Sequence, residues 1–202
     1  MQRSVEQRQA PKRRVRRRDP RAQFFGFTSR QLPFLYVLVG NWVFSALFFA
    51  GTKLVWHWVP EDWTLGDRIA QMIKDAVFAI LPALLAICIV AAQRLDPSMW
   101  VGRMAKPNSA LDINTRFILN TFEQFILYFI GNAGLAIYCP PQEARTLIIL
   151  TTLFLLGRIM FWVGYHFNPY LRAFGFGVTF YPTVVVYLWL VIRMVFGIQI
   201  QI

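Results

Sequence analysis

Cysteine and histidine are scarce in this chain, and each occurs only twice among 202 residues. Cys88 lies within a long apolar run and Cys139 at the end of another, and neither has the spacing of a CxxC motif or a metal-ligand set. A disulfide framework is therefore not indicated. His57 and His166 do not complete a cluster of metal ligands, so we expect no metal site.

Short catalytic motifs are also missing. The sequence contains no GxSxG, HExxH, P-loop or GxGxxG pattern, which are typical of serine hydrolases, zinc proteases, and phosphate- or dinucleotide-binding proteins. No nucleophile of the protein itself is indicated. Any chemistry is expected to come from a bound cosubstrate.

Apolar residues, in contrast, are abundant, and 56% of the chain is hydrophobic, which is too much for a soluble domain of this size. Because a spanning helix needs roughly 17–25 mostly apolar residues, the long uncharged runs predict five transmembrane helices. They are expected near residues 32–57, 75–94, 114–138, 145–167 and 174–198. The predicted fold class is an all-α integral membrane protein, since a β-barrel would show short segments of alternating polarity instead.

Acidic residues are fewer than basic ones, 10 against 21, and the excess positive charge lies mainly in residues 1–30. We interpret this segment as a disordered cytoplasmic tail, because basic residues beside a first span stay on the cytoplasmic side. Its charge favours contact with lipid head groups over nucleic acid, because the segment has no motif of a folded nucleic-acid-binding domain. Loops with an excess of basic residues alternate with loops without one, which places the C-terminus on the opposite side of a bacterial inner membrane or a eukaryotic endomembrane.

Three polar side chains interrupt the third predicted span. Arg116, Asn120 and Glu123 fall on one helix face, since each residue turns a helix by about 100°. Ionised groups within a bilayer normally face the protein interior or an aqueous cavity. The three residues could form a structural clamp between helices, or they could contribute to a ligand site.

The fourth predicted span and the loop after it carry a second polar set. Arg158 and Tyr165 share a helix face, and Arg172 stands at the entrance to the fifth span. Arg158 is the deepest charge and needs an acidic partner, for which Glu123 is the candidate. A pocket formed by both sets would hold more arginine than acid. It would suit an anionic ligand with carboxylates for the arginines and an ammonium for the glutamate, or a thiol held as thiolate.

Two stretches of the sequence resemble the MAPEG superfamily, the membrane-associated proteins of eicosanoid and glutathione metabolism that include the microsomal glutathione transferases. RFILNTFEQF at 116–125 is similar to the RxxxNxxE signature of that family. LLGRIMFWVGYHFNPYLRAFGFGVTF at 155–180 resembles a second family stretch, in which an arginine and a tyrosine are followed by PxxR and GF. The resemblance covers about residues 75–200, with the two stretches in the family's order.

The resemblance implies a homotrimer of four-helix protomers, with glutathione as a cosubstrate bound between neighbouring protomers near the cytoplasmic side. By match, glutathione would be bound by Arg116, Asn120, Glu123 and Tyr165. Arg172 and Arg158 would be the catalytic residues, which stabilise the thiolate electrostatically. The implied function is that of a glutathione-dependent transferase or peroxidase acting on lipophilic electrophiles that enter from the bilayer.

The chain departs from the family pattern in three respects. An additional span at 31–58 precedes the four-helix domain at 75–200, as in the mattrin-like members of the superfamily. Phe161 occupies a position that is polar in some catalytic members. Ala173 follows Arg172, so a serine that would assist the thiolate is absent there. These departures favour an alternative function, a non-catalytic lipid-binding or scaffold membrane protein.

Overall fold

The computed structural model describes residues 23–24, 27–28, 32–55, 62–95 and 105–197. The chain forms two compact units, Met1–Leu32 and Pro33–Ile202. In the first unit, β1 (Gln23–Phe24) and β2 (Phe27–Thr28) pair as a short antiparallel hairpin. The rest of the predicted tail, residues 1–30, lies outside the described residues.

Five long α-helices account for nearly all the residues described after the hairpin. They are α1 (Leu32–Val55), α2 (Leu65–Gln93), α3 (Ala110–Tyr138), α4 (Arg145–Phe167) and α5 (Pro169–Phe196). A short 3-10 helix, Pro141–Glu143, connects α3 to α4. The all-α membrane fold class that the sequence predicted is confirmed.

Within the described part of the chain, α1, α2, α4 and α5 are each long and apolar enough to cross a membrane. The remaining long helix, α3, has 29 residues, as α2 does, but it carries four amide side chains against two in α2. Its buried residues include Asn114, Gln124 and Asn132. Polar groups at membrane depth are normally turned toward neighbouring helices, and α3 contacts α2, α4 and α5.

Three helices begin earlier than the sequence predicted, because capping residues start them outside the apolar runs. α2 begins at Leu65 rather than near 75, since the Thr64 hydroxyl accepts a hydrogen bond from the Asp67 amide while the Asp67 carboxylate accepts one from the Thr64 amide. α3 begins four residues early, after the cap by Ser109. α5 begins at Pro169 rather than near 174, after the cap by Asn168.

Glycines bring α4 and α5 into backbone contact at the end of the bundle where the two helices are connected. A Cβ on Gly164 would overlap the backbone of Arg172, and a Cβ on Gly175 would overlap the backbone of Phe161. Small residues at such positions allow membrane helices to approach closely. The close approach fixes the height of Arg172 relative to α4.

The additional helix α1 packs against α5 through aromatic rings and is tied to the α3–α4 connection by charge. Trp42 stacks on Tyr181 with ring centroids 5.3 Å apart. At the other end of α1, the Lys53 ammonium pairs with the Glu143 carboxylate at 2.5 Å. In the most apolar 18-residue stretch of α1, only 11% of the residues are buried, against 56% in that of α4. Most of α1 therefore remains at the surface of the single chain.

Candidate functional site

Arg158 lies at the centre of the bundle with 0% of its surface exposed. Its Nη1 donates to Asn120 Oδ1 of α3 at 2.9 Å, and its Nη2 donates to the Thr179 hydroxyl of α5. The guanidinium also lies over the rings of Phe161 (4.6 Å) and Phe154 (5.7 Å). These partners are all neutral, and Arg158 has no carboxylate partner among the residues that the structure describes.

The prediction that Glu123 pairs with Arg158 is wrong. Glu123 is exposed on the surface of the chain, whereas Asn120 is half-buried and receives the hydrogen bond from Arg158. Side chains that are three residues apart on a helix point in directions that differ by about 60°. That difference is enough to carry Glu123 out of the bundle interior while Asn120 stays at its edge.

Arg116 forms a local ion pair instead of joining the interior. Its Nη2 lies 3.1 Å from Asp112 Oδ2, and its Nε donates to Asp112 Oδ1, also at 3.1 Å. The two residues are one turn apart on α3, and 55% of the Arg116 side chain is exposed. Such exposed pairs contribute little to stability, so Arg116 can exchange Asp112 for another anion at little cost.

Tyr165 and Arg172 extend the contacts of Arg158 toward the surface. The Arg172 guanidinium lies over the Tyr165 ring at 4.8 Å. Tyr165 in turn stands edge-on to Phe161 at 4.9 Å, and Phe161 is the ring beneath Arg158. Arg172 lies in the first turn of α5 rather than in a loop, because α5 begins at Pro169. The result is a continuous line of contacts from Asn120 to Arg172, which we call the Arg158 cluster.

The structure thus divides the six predicted site residues into two groups. Four of them belong to the Arg158 cluster: Asn120, Arg158, Tyr165 and Arg172. Arg116 and Glu123 are exposed on α3, and neither forms a hydrogen bond or ion pair with the cluster. The proposed binding and catalytic roles of all six residues stay predictions.

Sequence reasoning missed a polar contact between α2, α3 and α4 close to this cluster. Trp162 Nε1 donates to Asn114 Oδ1 at 2.9 Å, and Asn114 Nδ2 donates to Gln93 Oε1 at 3.4 Å. Phe117 stacks on Trp162 with ring centroids 4.9 Å apart. Asn114 and Gln93 lie at the ends of the predicted spans, where polar residues are ordinarily solvated. The sequence therefore offered no reason to expect a contact between them.

A second missed group surrounds Asp75, which is buried between α2, α3 and α4. Gln71 Nε2 donates to Asp75 Oδ1 at 2.8 Å, and Thr151 lies beside the carboxyl group. The Thr151 hydroxyl also contacts the Tyr128 hydroxyl at 2.5 Å. We call these four residues the Asp75 cluster. The sequence placed Asp75 in a loop because it precedes an apolar run, whereas the cap at Thr64 puts it ten residues into α2.

Cys139 is not suited to act as a nucleophile. It is buried at the end of α3, where Arg68 donates to its backbone carbonyl. Loss of hydration raises the pKa of the Cys139 thiol, which keeps it protonated at neutral pH.

Comparison with known proteins identifies the family. The model of the MAPEG family matches residues 76–192, which is more than half of the chain and lies within α2 to α5. Transmembrane protein 79 of Mus musculus is 28% identical over 130 residues, which cover 64% of this chain and 33% of the relative. Transmembrane protein 79 of Bos taurus is 26% identical over 147 residues, which cover 73% of this chain and 37% of the relative.

The chain spans about a third of the length of these curated relatives. No solved structure gives a significant match. The family match and the apolar helices together establish that the chain is an integral membrane protein and belongs to the MAPEG family.

Proposed function

We propose that this protein binds glutathione beside the Arg158 cluster, between neighbouring protomers of a homotrimer. In this proposal it is a glutathione-dependent transferase or peroxidase that acts on lipophilic electrophiles from the bilayer. The observation that carries the proposal is the environment of Arg158, a fully buried guanidinium that contacts only neutral groups in the described part of the chain.

A buried charge without a counter-charge is costly, and the cost is offset when an anion binds nearby. Glutathione is such an anion, since it carries two carboxylates and a thiol that can ionise. Because Arg158 is covered on all sides, its action on a ligand would be indirect. Asn120 uses its carbonyl oxygen to accept from Arg158, which leaves the amide N–H groups of Asn120 for a ligand oxygen.

The exposed side chains match the remaining chemistry of glutathione. Arg116 and Arg172 offer planar donors to carboxylates, and Glu123 offers a carboxylate to the ligand ammonium. In a single protomer Arg116 and Glu123 are at the surface. A site shared between two protomers would use such surface groups, and this supports the homotrimer that the family resemblance implies.

Bound glutathione would supply a nucleophilic thiol. Arg172 is exposed and held over Tyr165, so it is the group best placed to lower the pKa of a nearby thiol by its charge. Arg158 adds a second positive charge behind Phe161. Tyr165 fixes the direction of the Arg172 side chain, and the lipophilic substrate would reach the site from the bilayer between helices.

A non-catalytic lipid-binding or scaffold protein is the second candidate function, and one contact favours it. Phe161 lies 4.6 Å from the Arg158 guanidinium and separates it from Tyr165. A polar side chain at this position would continue the hydrogen bonding toward the surface, whereas a phenyl ring ends it. Ala173 likewise provides no hydroxyl next to Arg172.

The proposal is tested on the purified protein in detergent, by calorimetric titration with reduced glutathione. We expect saturable binding that weakens about tenfold in Glu123→Gln, which keeps the size of the side chain but cannot pair with an ammonium. Lys74→Gln, an exposed position on α2, is the matched control and should not change the affinity. Absence of binding to the oligomeric protein would overturn the proposal.

Turnover separates the two candidate functions. Conjugation of 1-chloro-2,4-dinitrobenzene and reduction of a lipid hydroperoxide are measured at saturating glutathione. Activity in either assay, lost in Arg172→Gln, supports the enzyme. Glutathione binding without turnover would support the non-catalytic candidate, and thermal stabilisation by lipids without any effect of glutathione would support it further.

A further inference from the structure

Helices α1, α4 and α5 line an apolar cavity of about 300 Å³ that is open on one side and separate from the Arg158 cluster. It is lined from α1 by Trp42 and Phe49, from α4 by Leu150 and Leu153, and from α5 by Val185. The volume lies at the lower end of the roughly 300–1,000 Å³ range of small-molecule sites. The cavity exists because α1 is present, and α1 lies outside the residues matched by the family model.

The surroundings of the cavity determine which kind of molecule it can hold. All three lining helices are apolar enough to span a membrane, so the medium around them is the acyl chains of the lipids. Pro182 of α5, which has no N–H to donate, also lines the cavity. The rest of the lining is apolar apart from the Trp42 ring nitrogen and the hydroxyls of Ser45 and Thr146. Water would find few partners there, because a buried water needs about three hydrogen bonds. A single acyl chain is the occupant that fits both the lining and the medium.

Basic groups lie at the end of the cavity where α1 ends and α4 begins. The Lys53 ammonium is 5.1 Å from the centroid of the Phe49 ring, which lines the cavity. Lys53 pairs with Glu143, and Arg145 Nη1 donates to the Lys53 carbonyl at 3.4 Å. In the described part of the chain, the Lys53 ammonium and the Arg145 guanidinium therefore lie together at this end, with the Glu143 carboxylate paired to Lys53.

Two further donors at this end have no partner in the described part of the chain. The Arg145 Nε is buried and makes no hydrogen bond. The Thr146 hydroxyl, on a residue that is 1% exposed and lines the cavity, also makes none. Thr151, further along α4, donates to the carbonyl four residues before it, but Thr146 lies in the first turn. That turn has no side-chain cap, so it favours a negative group nearby.

We propose that this cavity binds one acyl chain of an anionic phospholipid, with the phosphate of the head group beside Arg145. The chain fills the apolar space between α1, α4 and α5, and the positive charge at its end selects the head group. The site would make α1 a lipid-binding addition to the four-helix unit. It is independent of glutathione, since Thr146 is twelve residues from Arg158, about 18 Å along α4.

The proposal is tested by native mass spectrometry of the full chain in detergent with three added lipids: dioleoyl phosphatidylglycerol, dioleoyl phosphatidylcholine and free oleate. We expect the phosphatidylglycerol to be retained in preference to the phosphatidylcholine. Ala46→Phe, which fills the cavity, should lower retention by about tenfold or more. Ala50→Phe, the same change on an exposed part of α1 that does not line the cavity, is the matched control and should leave retention unchanged.

The head-group part of the proposal is tested by Arg145→Gln, which should reduce the preference for phosphatidylglycerol by about fivefold. Equal retention of phosphatidylcholine and phosphatidylglycerol by the unchanged protein would overturn that part, and stronger retention of oleate would identify a free fatty acid as the occupant. Equal effects of Ala46→Phe and Ala50→Phe would show that the lipid does not bind in the cavity. If Ala46→Phe does not fold, Val185→Phe fills the same space from α5. Glutathione titration of Ala46→Phe should match the unchanged protein. A failure of the lipid proposal can therefore be distinguished from a failure of the glutathione proposal.

Discussion

Arg158 and Asp75 are both buried in membrane-spanning helices, but their surroundings differ. Arg158 contacts α3 and α5, and its contacts continue through Phe161 and Tyr165 to an exposed arginine. The contacts of the Asp75 cluster stay inside the bundle, where Gln71 donates to Asp75 Oδ1 and the Tyr128 and Thr151 hydroxyls contact each other. Asp75 Oδ2 is buried there without a hydrogen-bond partner among the described residues. Both charges have neutral partners, and what differs is where their contacts lead. Contacts that reach the surface favour a role in ligand binding, whereas contacts that end inside the bundle favour a structural role.

The largest effect within the Arg158 cluster is expected from the glycine contact that positions Arg172. Gly164→Ala places a Cβ against the backbone of Arg172, and neither backbone can move without shifting a helix. We expect a loss of about 3 kcal/mol in the free energy of unfolding, together with weaker glutathione binding. Thermal unfolding in detergent measures the first effect and calorimetry the second.

Gly51→Ala is the control for that change, because nothing lies within 4 Å of a Cβ on Gly51. It should leave stability unchanged or raise it by about 0.5 kcal/mol, since alanine is the better helix former. Similar losses in the two variants would mean that the contact between α4 and α5 is not the cause.

Replacing the buried guanidinium separates binding from folding. Arg158→Met removes an uncompensated charge while keeping a long side chain, so the protein should unfold at the same temperature or higher. Glutathione affinity should fall roughly 30-fold, about 2 kcal/mol, because Asn120 loses its fixed direction and the site loses a charge. Arg193→Met, near the end of α5, is the matched control.

A parallel loss of stability and of glutathione binding in Arg158→Met would contradict this interpretation. It would show that Arg158 acts as a structural clamp, which is the role that the sequence alone could not exclude. Loss of binding at unchanged stability would confirm that the charge serves the ligand.

The opposite outcome is expected for the Asp75 cluster. Asp75→Asn keeps an oxygen that can accept from Gln71 and removes the ionisable group from the interior. We expect the free energy of unfolding to stay the same or rise by about 1–2 kcal/mol, with no change in glutathione binding. Chemical denaturation and calorimetry test the two parts. A clear loss of either would show that the Asp75 charge is used, and the comparison with Arg158 would then fail.

The difference between the two clusters also shows how far the sequence could predict this protein. Apolar runs and helical periodicity were enough for the fold class and for placing Arg158 and Asn120 on facing helices. They could not decide between Asn120 and Glu123 as the partner of Arg158, because helix rotation in the bundle sets which of the two faces inward. Asp75 was missed for another reason, since a two-residue cap at Thr64 extends α2 beyond its apolar run.

The smallest expected effect concerns the hydroxyl pair that encloses Asp75. Tyr128→Phe removes the hydroxyl that contacts Thr151 at 2.5 Å and leaves the ring packed on Phe154. Because Thr151 still donates to the Leu147 carbonyl, no donor is left unpaired, and the loss should be about 0.5–1 kcal/mol in the free energy of unfolding. Tyr138→Phe, at the exposed end of α3, should have no effect in the same denaturation experiment. A loss well above this range would mean that the Tyr128 hydroxyl supports the Asp75 carboxylate itself, and the Asp75 cluster would then resemble the Arg158 cluster in depending on a charge.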